Sequence, residues 1–181
     1  MKKALTLVLI LVMGMVGTTL MGADNASATT TATVQSAAAI GITTNLDFGS
    51  ILGDAVQPLI DPTSAVTHVD LLGSPTIGDF TITAYTGAVV TATLTSGATT
   101  TLSDGSQTLL FTPSFAQHES AQGSAVAYTS GNDITLTAST HHIYVGGLLE
   151  AAGGGDITGI TSGTFTSAAG GGDIVLTVAY N

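Results

Sequence analysis

The chain closes with Asp173-Ile174-Val175-Leu176-Thr177-Val178-Ala179-Tyr180-Asn181. Ile174, Leu176, Val178 and Tyr180 fall on alternate positions. A period of two places them on one face of a β-strand and Val175, Thr177 and Ala179 on the other. The first four are expected to face a core, with the Tyr180 hydroxyl at its rim. A terminal strand stays ordered only when neighbours hold it. This stretch therefore predicts a β-sandwich closed by its last strand.

Working back from it, Ala168-Ala169-Gly170-Gly171-Gly172-Asp173-Ile174 repeats Ala151-Ala152-Gly153-Gly154-Gly155-Asp156-Ile157. The two copies are expected to be equivalent loops at one end of the fold. Gly/Asp-rich calcium-binding repeats need many consecutive copies with another spacing, so turn chemistry accounts for the pair. Gly, Thr, Ser, Ala and Val dominate the composition, which enriches strand and turn formers over strong helix formers. The class expected is all-β.

Alternating runs separated by turn residues recur along the chain. Strands are expected over 29–43, around Leu46 and Phe48, and over 65–72, 79–85, 88–95, 125–129, 133–138 and 141–148. Asp104-Gly105 marks a hairpin between 99–102 and 107–115. Pro113 is expected to put the second arm at an edge or to end it early. Residues 52–62 and 116–123 are expected to be loops.

The N-terminus has a different character. Lys2-Lys3 precede an apolar run from Ala4 to Val16, and Ala26-Ser27-Ala28 fits a small-residue cleavage site. Residues 1–28 are expected to be a removable Sec signal peptide, and the protein secreted or displayed at the cell surface. The apolar run is short for a retained membrane span. Lys2 and Lys3 are the only basic residues among 181, against 12 acidic ones, for a net charge of −10. After cleavage no Lys or Arg remains, so binding to nucleic acid or anionic lipid is not expected. There is no cysteine, hence no disulfide and no thiolate site. About 150 residues can still bury roughly 68–70% of their unfolded surface.

No catalytic constellation is legible, and neither a cofactor nor a metal site is expected. His141 and His142 are adjacent, so on a strand they point to opposite faces and do not chelate one ion alone. No G-x-S-x-G elbow occurs. The protein is not expected to be an enzyme.

Two ends of the chain carry a resemblance. The opening Ala32-Thr33-Val34, Ile40-Gly41-Ile42 and Leu46-Asp47-Phe48-Gly49-Ser50-Ile51 form one half. The closing Gly159-Ile160-Thr161-Ser162-Gly163-Thr164-Phe165-Thr166 and the terminal strand form the other, with Asp79-Phe80-Thr81-Ile82-Thr83-Ala84-Tyr85-Thr86-Gly87 between them. Together they resemble a family of secreted bacterial β-sandwich proteins of unknown function allied with the Mat/Ecp common-pilus fimbrillins. One departure is the stretch Ser167–Gly172, which separates Gly-Thr-Phe-Thr from the terminal strand.

The resemblance implies an immunoglobulin-like, pilin-like sandwich over 44–181. It also implies a homopolymer in which each N-terminal strand fills a groove in the next subunit. A periplasmic chaperone and an outer-membrane assembly protein are the further partners it implies, and surface adhesion or biofilm formation the role. The candidate donor strand is 29–43, with Ala32, Val34, Ala38, Ile40 and Ile42 on its inward face. The alternatives are an ordinary first strand pairing within its own domain and, for the whole protein, a monomeric secreted module binding a glycan or a metal.

Overall fold

The alternating runs become strands of unequal length. In the computed structural model, which describes residues 37–51, 54, 57–64, 71–95, 100–160, 163–167 and 173–181, twelve strands appear. They are β1 (Ala39–Thr44), β2 (Ser50–Ile51), β3 (Leu59–Ile60), β4 (Leu71–Leu72), β5 (Gly78–Thr83) and β6 (Val89–Leu94). β7 (Thr100–Ser103), β8 (Thr108–His118), β9 (Val126–Ala127), β10 (Asp133–Thr135), β11 (Thr140–Ala151) and β12 (Leu176–Tyr180) complete the set. A single 3-10 turn, Gln122–Ser124, joins β8 to β9. The protein is all-β. The signal-peptide segment 1–28, Ala32, Val34, His68 and most of the strand expected over 65–72 lie outside the described residues. No helix among the described residues is long and apolar enough to cross a membrane.

Every pairing is antiparallel. The main sheet runs β1-β5-β11-β8-β7, with β3 added to β11 and β9 to β8. A second sheet runs β10-β6-β12, and β2 pairs with β4. The two larger sheets pack face to face as a β-sandwich. Ile82 of β5 and Ile143 and Val145 of β11 meet Val90, Ala92 and Leu94 of β6, Ile134 of β10 and Leu176 of β12. Alternation explains the arrangement: the odd-numbered β11 residues 141, 143 and 145 turn inward together. Tyr128 pins the second sheet to the turn before β10. Its hydroxyl lies 2.6 Å from the Ala92 carbonyl and 2.7 Å from that of Asn132, and burial raises its pKa.

Three expectations are corrected here. Residues 52–62 are not all loop, because Leu59–Ile60 pairs with β11 through Gly147↔Ile60 and Leu148↔Leu59. Residues 116–118 are strand, because β11 extends far enough to pair His142 with His118. Pro113 neither ends β8 nor lies on an outer strand. It sits opposite Gly147 of β11, and on its other side β7 stops at Phe111 while β9 starts at Ala116. A missing N–H costs nothing in that gap.

The handover from β5 to β3 along one flank of β11 requires glycine. β5 pairs as far as Val145, and β3 takes over at Gly147. A Cβ on Gly146 would lie 2.2 Å from the Ile60 carbonyl oxygen. Gly147 has φ +151, and its Cβ would lie 2.4 Å from the Thr112 carbonyl oxygen.

β1 is the outermost strand. Among the described residues it pairs only with β5, with an irregularity between Ile42 and Thr44, and all six of its residues are exposed. The inward face expected of Ile40 and Ile42 is not found within one chain: they are 44% and 66% exposed. The second sheet lies over β5 and β11 and does not reach them. With almost no apolar burial, β1 is held by its ladder, at about 0.5–1.5 kcal/mol net per hydrogen bond. Hydrogen exchange should therefore be at least about a hundredfold faster in 39–44 than in 141–145, because edge elements open locally. Equal protection would show that β1 belongs to the core unit.

Candidate functional site

The second sheet covers only part of the first. Beyond Val145, β11 and β8 carry a separate apolar cluster: Leu109, Phe111 and Leu149 pack with Phe48, Ile60 and Ile157. No strand of β10-β6-β12 contributes a buried residue to it. Coil segments close over it instead, and they leave an open cleft of about 930 Å³.

The cleft is apolar at its floor and polar at its rim. Leu109, Phe111 and Leu149 form the floor, and Phe48 meets Phe111 edge-on at 5.7 Å and 79°. Phe165 and Ile160 line one wall. Ile42 of β1 and Asp173-Ile174, the residues leading into β12, also line it. Thr44, Asn45, Ser50, Thr164 and Ser167 supply the polar rim. Its two ionisable groups, Asp47 and Asp173, are both engaged locally. Asp47 accepts from the Gly49 N–H at 2.7 Å, and Asp173 accepts from the Ser167 hydroxyl. With no cation and no histidine among the described residues of its lining, the cleft suits apolar side chains rather than an anion.

The wall segment 163–167 is fixed by the hairpin read from Asp104-Gly105. Ser103 and Thr166 exchange backbone hydrogen bonds of 3.0 and 2.9 Å. Gly105 has φ +93, a conformation that favours glycine, but the register Ser103↔Thr108 makes the connection a four-residue loop rather than the two-residue Asp-Gly turn. The Gln107 and Ser106 N–H groups donate to the Asp104 carboxylate and hold its pKa below the usual value. The two Ile residues that end the Gly/Asp repeats, Ile157 and Ile174, both pack in the cluster beneath the cleft. The loop of the second copy lies outside the described residues.

The candidate residues read from the sequence distribute as follows. Leu176 is buried, and Ile174 and Val178 are partly buried against the main core. Tyr180 is 40% exposed, a correction to its expected place in the core: at the strand's end the core has run out, and its ring stacks on Tyr85 at 6.0 Å. Ala38 packs on the main core and Ile42 lines the cleft, while Ile40 stays on the surface. Among the described residues, the Leu176–Ala179 ladder is made with β6 alone. The sequence assigns no site role to Phe48, Phe111 or Phe165. Their signal was weak, since only five Phe occur and each sits in an ordinary strand-like run.

The described histidines, His118, His141 and His142, lie away from the cleft. His142 Nδ1–H donates to Asp79 at 2.9 Å, and its ring stacks on Tyr144. His141 is buried on the opposite face of β11. Among the described residues no group of three or more His, Asp or Glu is placed to hold a metal. No family model, no curated protein and no solved structure matches the chain.

Proposed function

We propose that the chain is a structural subunit of an extracellular, pilus-like filament, in which an immunoglobulin-like sandwich lends its first strand to the next copy. One observation carries this reading. The chain leaves an apolar cleft open between the main sheet and the coil segments beyond the reach of the second sheet and, in the same molecule, leaves Ile40 and Ile42 uncovered on a weakly held edge strand. Strand addition joins two such surfaces through a backbone ladder, with alternate side chains filling pockets. Among the described residues no strand pairs with the outer edge of β12 at Leu176–Ala179, the edge on which such a ladder would form.

The energetics favour exchange over capture of a free peptide. Ordering a disordered extension costs about 1–2 kcal/mol per residue. β1 is already extended, and the bonds it gives up on β5 are replaced in the partner. Burying Ile40 and Ile42 then adds about 3–6 kcal/mol as an upper range. Identical subunits are the partners; a chaperone would keep the cleft filled during export.

Size-exclusion chromatography of the purified protein tests this. The full protein is expected to form a ladder of oligomers resistant to mild denaturant. Deleting residues 29–43, or changing Ile40 to Asp, is expected to leave a folded monomer. A deletion variant that still polymerises would overturn the reading. A second reading, a monomeric binding module for a glycan, is favoured by one observation: Tyr85 and Tyr180 form an exposed stacked pair with an interplanar angle of 14°. A clean monomer from the full protein would move the assignment there.

A further inference from the structure

The three described histidines gather where β8 ends and β11 begins. His118 and His142 are register partners, and His141 is next in sequence to His142. Their hydrogen bonds determine which nitrogen carries the proton. Backbone N–H groups of Ser120 and Ala121 both donate to His118 Nδ1, each at 3.1 Å. Because an N–H only donates, that nitrogen is bare. His141 Nε2 lies 3.0 Å from Gln117 Oε1, to which it donates. Its Nδ1 is buried with no hydrogen-bond partner. His142 is arranged the other way: Nδ1–H donates to Asp79, and a second proton on Nε2 leaves that bond in place.

The bonds at His118 need a bare Nδ1, and the buried site of His141 offers nothing to a second proton. A proton on His118 Nδ1 breaks both bonds that form the 118–121 turn. A proton on His141 Nδ1 places a cation in a site that is 5% exposed, with no acceptor for the new N–H. The turn holds Glu119, which in turn clamps the loop entering β11. Thr137 N–H and hydroxyl and Ala138 N–H all donate to the Glu119 carboxylate. That loop also ties the end of β5, through Ala84 N–H to the Ser139 carbonyl at 3.1 Å.

We infer that this corner, residues 118–121 with 136–141, is a proton-operated latch that opens at mildly acidic pH by local release of the Glu119 clamp. Among the described residues, the charged or titratable groups facing it are Glu119 and His118 from the end of β8, His142 from β11, and Asp79 from β5 with Tyr144 beyond it. Beyond Lys3 the chain has no Lys or Arg, so histidine protonation is its one route to positive side-chain charge.

The electrostatics agree. Burial pushes the His141 pKa below its usual 6.5, partly offset by Glu119. A folded state that resists a proton the unfolded chain accepts is most stable above pH 6.5 and loses stability as the pH falls below it. Glu119 works in a lower range. Its Thr137 hydrogen bonds hold it below 4.5, so its contribution persists above that value and is lost beneath it. The latch rests on hydrogen-bond geometry alone and stands whether or not copies polymerise.

Hydrogen exchange of the intact protein between pH 7.5 and 5.5 tests it, followed at the amides of Ser120, Ala121, Thr137 and Ala138. After correction for intrinsic rates, the opening equilibrium is expected to rise about tenfold per pH unit below 6.5 for each coupled proton. The β6–β12 amides should change less. In His118→Asn the amide oxygen takes over the acceptor role of Nδ1 and has no proton to gain. Combined with His141→Gln, it is expected to flatten the profile. Opening that does not change in the natural protein, or a double variant with the natural slope, overturns the latch. Should His141→Gln fail to fold at pH 7.5, as judged by circular dichroism, His118→Asn alone is expected to lower the pH response of the Ser120 and Ala121 amides, whose acceptor then has no proton to gain. A full slope in that variant overturns the proposal equally.

Discussion

Replacing Leu176 with Asp is expected to leave no folded protein, whereas Val175→Thr, one residue away, is expected to change stability by less than about 0.5 kcal/mol. Leu176 is 7% exposed and packs in the main core, while Val175 is 54% exposed on the outer face of the same strand. Losing the leucine burial costs about 1.5–3 kcal/mol. An unpaired carboxylate in its place costs several more. No Lys or Arg follows Lys3, so no permanent cation can move in to compensate. The sum approaches the whole stability of a domain, about 5–15 kcal/mol. Urea titration with circular dichroism reads both variants, and equal damage from the two would show that β12 is covered on both faces.

The second large effect is expected at Gly146. In Gly146→Ala the new methyl would stand 2.2 Å from the Ile60 carbonyl oxygen and 2.9 Å from Pro62 Cδ. Backbone does not yield as a flexible side chain does, so β3 must lift from β11. Ile60 is fully buried and belongs to the cluster beneath the cleft. Overpacking of this kind costs about 1–3 kcal/mol, and more where a strand pairing is lost with it. Gly41→Ala is the matched control: nothing lies within 4 Å of its added Cβ. That change is expected to be neutral or slightly stabilising, since glycine weakens a strand. A denaturation midpoint for Gly146→Ala equal to that of the natural protein would mean the β3–β11 contact contributes little.

How far these residues were legible differs case by case. Gly146 and Gly147 stand side by side in an alternating run, the usual signal of a bulge or a close backbone approach. Only the approaching chain, β3, was out of reach, because Leu59–Ile60 is two residues long and carries no period of its own. The cleft was less legible still. Its Phe and Leu residues come from β5, β7, β8, β11 and the coils around Phe48 and Phe165, which are far apart in sequence. The latch was half legible. Adjacency alone sends His141 and His142 to opposite faces, but the Nδ1 contacts of His118 depend on a turn that follows an unforeseen strand extension.

By itself the sequence determined the all-β class, the two faces of the terminal strand, the Asp104-Gly105 hairpin and the near-absence of cationic side chains. Each of these follows from local spacing or simple composition. Tertiary structure alone decided that Ile40 and Ile42 stay in solvent, that Pro113 falls in a gap between β7 and β9, and that one sheet leaves half of the other open. A period of two separates a strand's faces, but it carries no information about whether another layer lies against either. Register and neighbour are set by contacts between distant segments, so edge and centre, cleft and core, read alike until the chain is folded.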